Sequence, residues 1–302
     1  MSLLITCFLL LVIDSTAGVG TTGAQFLKIG PSARALGMGG TFGAVSDDVY
    51  AIHFNPSGLC QLNKDEVSMT YLKYFGDVNY GFVGYAKPSE RNVLGFALTY
   101  LVVDKIEARQ SDTLQADRLF NAKDIALTFA YAKKEPLGIN LSNLDLGGNL
   151  RLITSEIDSN IAYTMSLDIG AYYIPMEKLS LALVLQNISW GIKYKDVSDM
   201  LPLNLKLAGA YKVKENLILS SDIDTYLIDS KFYISLGGEF FPIKQLALRL
   251  GYRYGYDTAS LGSIVGLGVG LGFRIWNFGL DYAFVPFGEL GDTHRVSFTI
   301  KF

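Results

Sequence analysis

From Glu66 to the last residue, apolar and polar side chains alternate in one short segment after another. About fourteen such segments can be marked out, each near the ten residues that a tilted strand needs to cross a bilayer. Their spans are 65–75, 78–87, 91–103, 121–133, 143–154, 161–174, 178–187, 202–213, 216–225, 231–241, 245–254, 262–275, 276–286 and 292–302. A period of two puts successive side chains on opposite faces of a sheet. In 125–132, Ile125, Leu127, Phe129 and Tyr131 share one face and Ala126, Thr128, Ala130 and Ala132 the other. In 203–212, Leu203, Leu205, Leu207 and Tyr211 oppose Asn204, Lys206 and Lys212. No stretch after residue 13 has the long uncharged apolar run of a membrane helix. Yet the chain is 50% hydrophobic, with mean hydropathy +0.27 and 18 each of Tyr and Phe. Half-apolar strands in this number fit a membrane barrel, where one face of every strand meets lipid. A soluble β-sandwich shares the alternation, but it rarely needs so many aromatic residues.

A lysine on the lipid face costs about 2–4 kcal/mol near the midplane, so the leucine faces must point outward. By the same rule Asp145, Asn149, Arg151, Asp168, Asp222, Asp224, Glu239, Arg249, Arg253, Arg274, Asp281 and Arg295 point into the lumen, where their mixed signs can pair. Short links such as Lys87–Glu90, Pro175–Lys178, Lys214–Asn216, Pro242–Gln245 and Trp276–Asn277 alternate with longer ones at 104–121, 188–201, 254–261 and 286–292. Outer-membrane barrels have short periplasmic turns and longer external loops. This parity predicts both chain ends in the periplasm, with a longer periplasmic link at 133–143 and a short external turn at Gly76-Asp77. Trp190 and the tyrosines near strand ends fit an interfacial aromatic girdle.

Residues 32–62 do not follow the alternation. Ala33, Ala35, Gly37, Gly39, Gly40, Gly43 and Ala44 come first, then Asp47 and Asp48, then the turn signal Asn55-Pro56-Ser57-Gly58. Glycine at this density lets a backbone lie close against another surface. The stretch reads as a compact plug inside the wall, and its removal is expected to leave a folded but leakier barrel. A second glycine series, Gly266, Gly268, Gly270 and Gly272, alternates with Val265, Leu267, Val269, Leu271 and Phe273. Its side-chain-free face suits close approach of the plug, a lateral gap or plain wall curvature.

The run Gly20-Thr21-Thr22, Gln25–Gly30, Ala33–Gly40 and Asn55–Leu59 resembles the N-terminal signature of the PorV/PorQ family of bacterial outer-membrane proteins. That family is similar in turn to the FadL-like long-chain fatty acid transporters. Phe54 stands where the family often has Trp, and Ser57 where it usually has Ala. The resemblance implies an all-β membrane protein: a fourteen-stranded antiparallel transmembrane β-barrel with an N-terminal plug, in the outer membrane. It also implies a secretion role, in which such proteins handle cargo bearing a C-terminal export domain for type IX secretion. A FadL-like channel for hydrophobic small molecules is the alternative, and a purely structural barrel a third.

The domain plan is then a signal peptide at 1–17, with its apolar region at Leu3–Ile13 and a small-residue cleavage pattern at Ser15-Thr16-Ala17; a plug at 18–64; and a barrel at 65–302. Loss of the leader removes Cys7 and leaves Cys60 without a disulfide partner. Phe298, Ile300 and the terminal Phe302 share a face, an ending that resembles the signal read by the barrel assembly machinery. A net charge of −3 without a basic block argues against nucleic acid. With two histidines and no metal-binding or phosphate-loop pattern, neither a cofactor nor an enzymatic activity is expected. Asp292, His294 and Ser297 make no hydrolase site, and Asp47, Asp48, Asp77 and Asp112 read as turn residues. The expected partners are outer-membrane lipids, the assembly machinery, and exported proteins or hydrophobic small molecules.

Overall fold

The computed structural model describes residues 21–74, 78–112, 114–137 and 143–302. The leader, its cleavage site and Cys7 lie outside the described residues, as do Gly76-Asp77 and residues 138–142 of the 133–143 link. Fourteen antiparallel strands close into a barrel, each paired with its sequence neighbours, and β16 (Asp292–Lys301) closes on β1 (Glu66–Lys73). The closing ladder runs from Glu66↔Lys301 to Lys73↔His294. Closure leaves no unpaired edge, the condition for a sheet in hydrocarbon.

The wall strands between are β2 (Val78–Pro88), β3 (Asn92–Ala108), β4 (Arg118–Lys133), β5 (Leu144–Ile157), β6 (Asn160–Met176), β7 (Leu179–Ile188), β10 (Asn204–Lys214), β11 (Leu217–Tyr226), β12 (Lys231–Ile243), β13 (Leu246–Tyr254), β14 (Leu267–Ile275) and β15 (Phe278–Pro286). A small hairpin, β8 (Ile192–Tyr194) with β9 (Val197–Asp199), sits in the link between β7 and β10. The faces separate as the alternation predicts. Ile125, Leu127, Phe129 and Tyr131 are exposed, and Ala126, Thr128, Ala130 and Ala132 are buried. Asn204 and Lys206 point inward and are buried. Trp190 and Trp276 are almost fully exposed at opposite ends of the wall.

Three boundaries differ from the sequence expectation. β3 and β4 stay paired as far as Ala108↔Arg118, well past the expected ends, so part of the predicted long loop is strand. The predicted strand over 262–275 begins only at Leu267, because Gly262 and Gly266 have φ of +97° and +96° and turn the chain. The links between β5 and β6 and between β11 and β12 are short turns on the side of the longer loops, so loop length follows parity only in part.

The chain before β1 fills the lumen. Thr22 Oγ1 donates to Asp229 at 3.0 Å, and Gly23 N–H to the Met200 carbonyl at 2.9 Å. Asp229 and Met200 belong to links at the mouth opposite Phe302, whose own N–H bonds Asp65 at 2.9 Å. The expectation of both ends on one side therefore holds for the wall, from Glu66 onward, but not for the first described residues. Strand parity counts crossings of the wall and carries no information on how the preceding segment threads the barrel. The segment enters from the loop mouth and descends to the mouth where β1 starts.

Candidate functional site

The lumenal segment is held in short pieces, each shaped by its own sequence. Helix α1 (Ala33–Gly37) is N-capped by Ser32, whose Oγ accepts from Ala35 N–H at 3.2 Å. Helix α2 (Ala51–Phe54) leads into Asn55, which caps a 3₁₀ turn over Pro56–Gln61. The Asn55 side chain accepts from Ser57 N–H at 3.2 Å and Ser57 Oγ at 2.6 Å, and donates to the Gly43 carbonyl at 2.8 Å. One side chain thus ties the turn to the glycine-rich stretch that precedes it. Pro56 suits the first helical position, where no N–H is needed. Asn55 and Ser57 are fully buried.

The wall meets this segment through two glycine windows. In the first, Gly147 of β5 pairs with Gly170 of β6. A Cβ on Gly147 would lie 2.5 Å from the Pro56 carbonyl carbon and 2.5 Å from Ser57 N, and one on Gly170 would strike Asn55 Oδ1. The second is a row in register across three strands, Gly237↔Gly251↔Gly268, against the backbone of Leu36–Gly39. Within the segment, Gly37 packs on Gly270, where an added Cβ would lie 2.9 Å from Gly270 Cα. Gly39 (φ +67°) presses on Tyr252, and Gly40 (φ +88°) faces Arg253. Gly58 packs on Ser46 inside the segment. Of the wall glycines singled out in the sequence, Gly268 and Gly270 touch the segment. Gly266 instead meets the Arg253 carbonyl outside the strand, and Gly272 lies over the Arg249–Asp281 ion pair. The pairings of Gly147, Gly170, Gly237 and Gly251 went unseen because register across strands is not written in any one segment.

A buried ion-pair ladder locks the two parts together. Arg34 of α1 reaches Asp47 at 2.5 Å, Asp48 at 3.2 Å and Glu239 of β12 at 2.7 Å. Glu239 also accepts from Arg249 at 2.7 Å; Arg249 lies 2.7 Å from Asp281, and Asp281 2.8 Å from Arg274. Beside it, Asp222 accepts the Phe42 and Gly43 N–H groups at 3.1 and 2.9 Å, and Asp224 lies 2.6 Å from Lys206 and 3.1 Å from Arg253. Burial pulls the Arg34 guanidinium down, but Asp47, Glu239 and Asp48 outweigh it and hold it charged. Burial pushes the Asp48 carboxyl up, against the pull of Arg34. Taking one member from such a ladder strands its partner's charge away from water.

Above the locked segment, toward the loop mouth, lies a cavity of about 260 Å³. A train of rings borders it: Tyr226 to Tyr233 at 6.0 Å, Tyr233 to Tyr256 at 5.3 Å, Tyr256 to Phe287 at 6.2 Å and Phe287 to Tyr74 at 5.6 Å between centroids. Cations lie over three of them: Lys28 over Tyr226 at 5.0 Å, Arg253 over Tyr233 at 4.5 Å and Arg295 over Tyr74 at 5.9 Å. His53 also lines the cavity, and burial and then the charges of Arg151 and Lys206 push it down to about 3, so it stays neutral. The alternation put Arg253 and Arg295 on the lumenal side; nothing in the sequence placed the rings together.

Phe298, Ile300 and Phe302 lie on the outer face of the closing strand, with Phe298 stacked on Phe278 at 5.9 Å. His294 is exposed on the lipid side, bonded to the Tyr282 hydroxyl at 2.7 Å, whereas Ser297 is buried on the lumenal side. The two do not converge. Among the described residues no group of three His, Cys, Asp or Glu side chains could hold a metal ion.

Comparison with solved structures returns barrels of the same architecture. The Ralstonia pickettii toluene transporter TbuX superposes with a TM-score of 0.65 at 11% identity, over 91% of this chain and 98% of that one. A Pseudomonas aeruginosa FadL homologue gives 0.63 at 12% identity, over 90% and 98%. The CymD monoaromatic hydrocarbon channel gives 0.62 at 12% identity, over 91% and 97%. At these identities the likeness shows the fold, that of a FadL-like barrel. No curated protein sequence matches the chain. The family model described as "Type IX secretion system protein PorV" matches residues 14–226, more than half of the chain. A closed barrel with these relatives is a bacterial outer-membrane protein, and the chain belongs to the PorV family.

Proposed function

We propose that this barrel docks exported protein cargo at its loop mouth, by binding and not by catalysis, as a component of a type IX secretion pathway. The supporting observation is the contrast between its lumen and its rim. The lumen is occupied by a segment tied to the wall through Arg34 and Glu239, a poor arrangement for passing a polypeptide. The rim exposes Leu114, Trp190, Val197, Met200, Ile264 and Leu290 on links outside the strand ladder. Exposed apolar side chains on such links are the usual material of protein binding. On this reading the outer face of β16, ending at Phe298, Ile300 and Phe302, is what the barrel assembly machinery engages, and the leucine faces meet the lipids.

The test is a pull-down of the detergent-solubilised native protein from its own cells, with bound material identified by mass spectrometry. Secreted proteins sharing a C-terminal domain are expected with the wild type and not with Trp190→Ala/Val197→Asp. Retention of such proteins by the rim variant would move the dock elsewhere, and their absence from the wild type would refute the reading. The ring-lined cavity favours a second reading, a channel or carrier for hydrophobic small molecules. Recovery of only such molecules would favour it.

A further inference from the structure

We propose that the cavity at the loop mouth is a binding site for a small monocarboxylate with a flat apolar group, and that Arg295 is the residue that receives the carboxylate. Five cationic side chains of the described residues are more than nine-tenths buried: Arg34, Arg151, Lys206, Arg249 and Arg295. The first four each have a carboxylate within 4.0 Å. The half-buried cations Lys28, Arg253 and Arg274 have one too. Among the described residues Arg295 has none. It is 2% exposed, spends Nη1 on the Gly30 carbonyl at 2.5 Å, and leaves Nε without a hydrogen-bond partner.

An arginine cannot shed its proton to escape such a position. A buried charge that is neither paired nor solvated costs several kcal/mol, and every other cation this deeply buried among the described residues has a carboxylate beside it. The missing partner is therefore an anion brought from outside, and the cavity beside Arg295 gives it room. A guanidinium takes a carboxylate well because its N–H groups match the two oxygens. The other charges lining the cavity, Lys28, Lys206, Arg253 and Asp224, are already ion-paired, and the rings between them suit a flat apolar group. Size sets a ceiling. A cavity of about 150 Å³ holds one benzene ring, so about 260 Å³ accommodates a ring with a short acid side chain and not an extended acyl chain. The site is independent of cargo docking at the rim, and either can stand without the other.

The probe is 3-phenylpropionate, titrated calorimetrically into the detergent-solubilised full-length protein, with the neutral 3-phenylpropionamide as its comparison. The acid is expected to bind at least about tenfold more tightly than the amide, the effect of one charge-assisted pair. Arg295→Gln, confirmed as folded by its heat-dependent migration in SDS gels, is expected to lose that preference while Arg295→Lys keeps part of it. The acid-against-amide comparison uses only the native protein, so it decides the matter even where a variant does not fold. Equal binding of acid and amide, no binding of either into the millimolar range, or an undiminished preference in folded Arg295→Gln would each overturn the proposal.

Discussion

Gly147→Ala isolates the contact between wall and lumenal segment. The new methyl would lie 2.5 Å from two backbone atoms of Pro56 and Ser57 and 2.7 Å from the Pro56 carbonyl oxygen. Ordinary contact begins near 3.4 Å, so the turn must retreat by about 1 Å, and it has nowhere to go. Ser57 is fully buried, Asn55 is bonded to Gly43, and Gly170 leaves no slack on the neighbouring strand. Overpacking of this kind costs about 1–3 kcal/mol, and rigid backbone on the receiving side points to the upper half of that range. The control is Gly209→Ala in β10, where the nearest atom to the added methyl is Leu181 Cδ2 at 3.7 Å; it is expected to stay within about 0.5 kcal/mol of wild type. Urea unfolding of vesicle-inserted protein, followed by far-UV circular dichroism, reads both. If Gly147→Ala were as stable as Gly209→Ala, the Asn55–Gly58 turn would not be seated against β5, and the account of the lumen as a packed core would fail.

Other consequences can be checked with the same material. Glu239→Gln takes a shared carboxylate from Arg34, which keeps Asp47 and Asp48, and from Arg249, which keeps Asp281, and is expected to cost about 1.5–3 kcal/mol in the same unfolding assay. Leu127→Arg puts a charge on the lipid face and should cost about 2–4 kcal/mol of folding into vesicles, while Leu127→Met should change little; an equal effect of the two would contradict the face assignment. Burial, opposed by Arg34 and helped by Glu66 and Asp47, pushes the Asp48 carboxyl up to about 7, with Lys301 also pulling it down. A raised folded pKa contributes stability at low pH that is lost as pH rises through it. The native protein should therefore lose stability relative to Asp48→Asn between pH 4 and pH 8, and a difference independent of pH would refute this. Cys60 is buried and its thiol is pushed up to about 12, chiefly by burial; maleimide labelling at pH 8 should require unfolding.

The barrel was legible because a lipid boundary enforces a strict rule on every second residue. Lys206 and Arg249 could be assigned to the lumen from their neighbours alone, since the alternative costs kilocalories per residue. Strand ends were less legible. Nothing in the sequence shows that β3 and β4 keep pairing as far as Ala108↔Arg118, because hydrogen bonding continues beyond the membrane where no rule of polarity applies. The glycine motif of 37–40 was visible, but its counterpart was only half found. Gly268 and Gly270 lie in a conspicuous run, whereas Gly237 and Gly251 meet Gly268 only through the register of three strands. The ring train from Tyr226 to Tyr74 combines residues from five separate links and strand ends, a convergence that only closure of the barrel creates.

The ladder through Arg34 changes what the N-terminal segment can be. A gate that shifts must leave its seat at modest cost, and this one is seated by buried charges whose partners would be stranded when it leaves. Its removal would also open the glycine windows and leave Asp222 without the N–H groups of Phe42 and Gly43. A lumen built this way behaves as the hydrophobic and polar core of the domain, with the wall as its shell. Deletion of 32–62 is then expected to destabilise the barrel, not merely to make it leak. What remains free to work is the region above Gly40: the ring-lined cavity, the loop mouth and the apolar rim. Any traffic in ligand or cargo is confined to that half of the molecule, where the cations Lys28, Arg253 and Arg295 are turned toward aromatic rings.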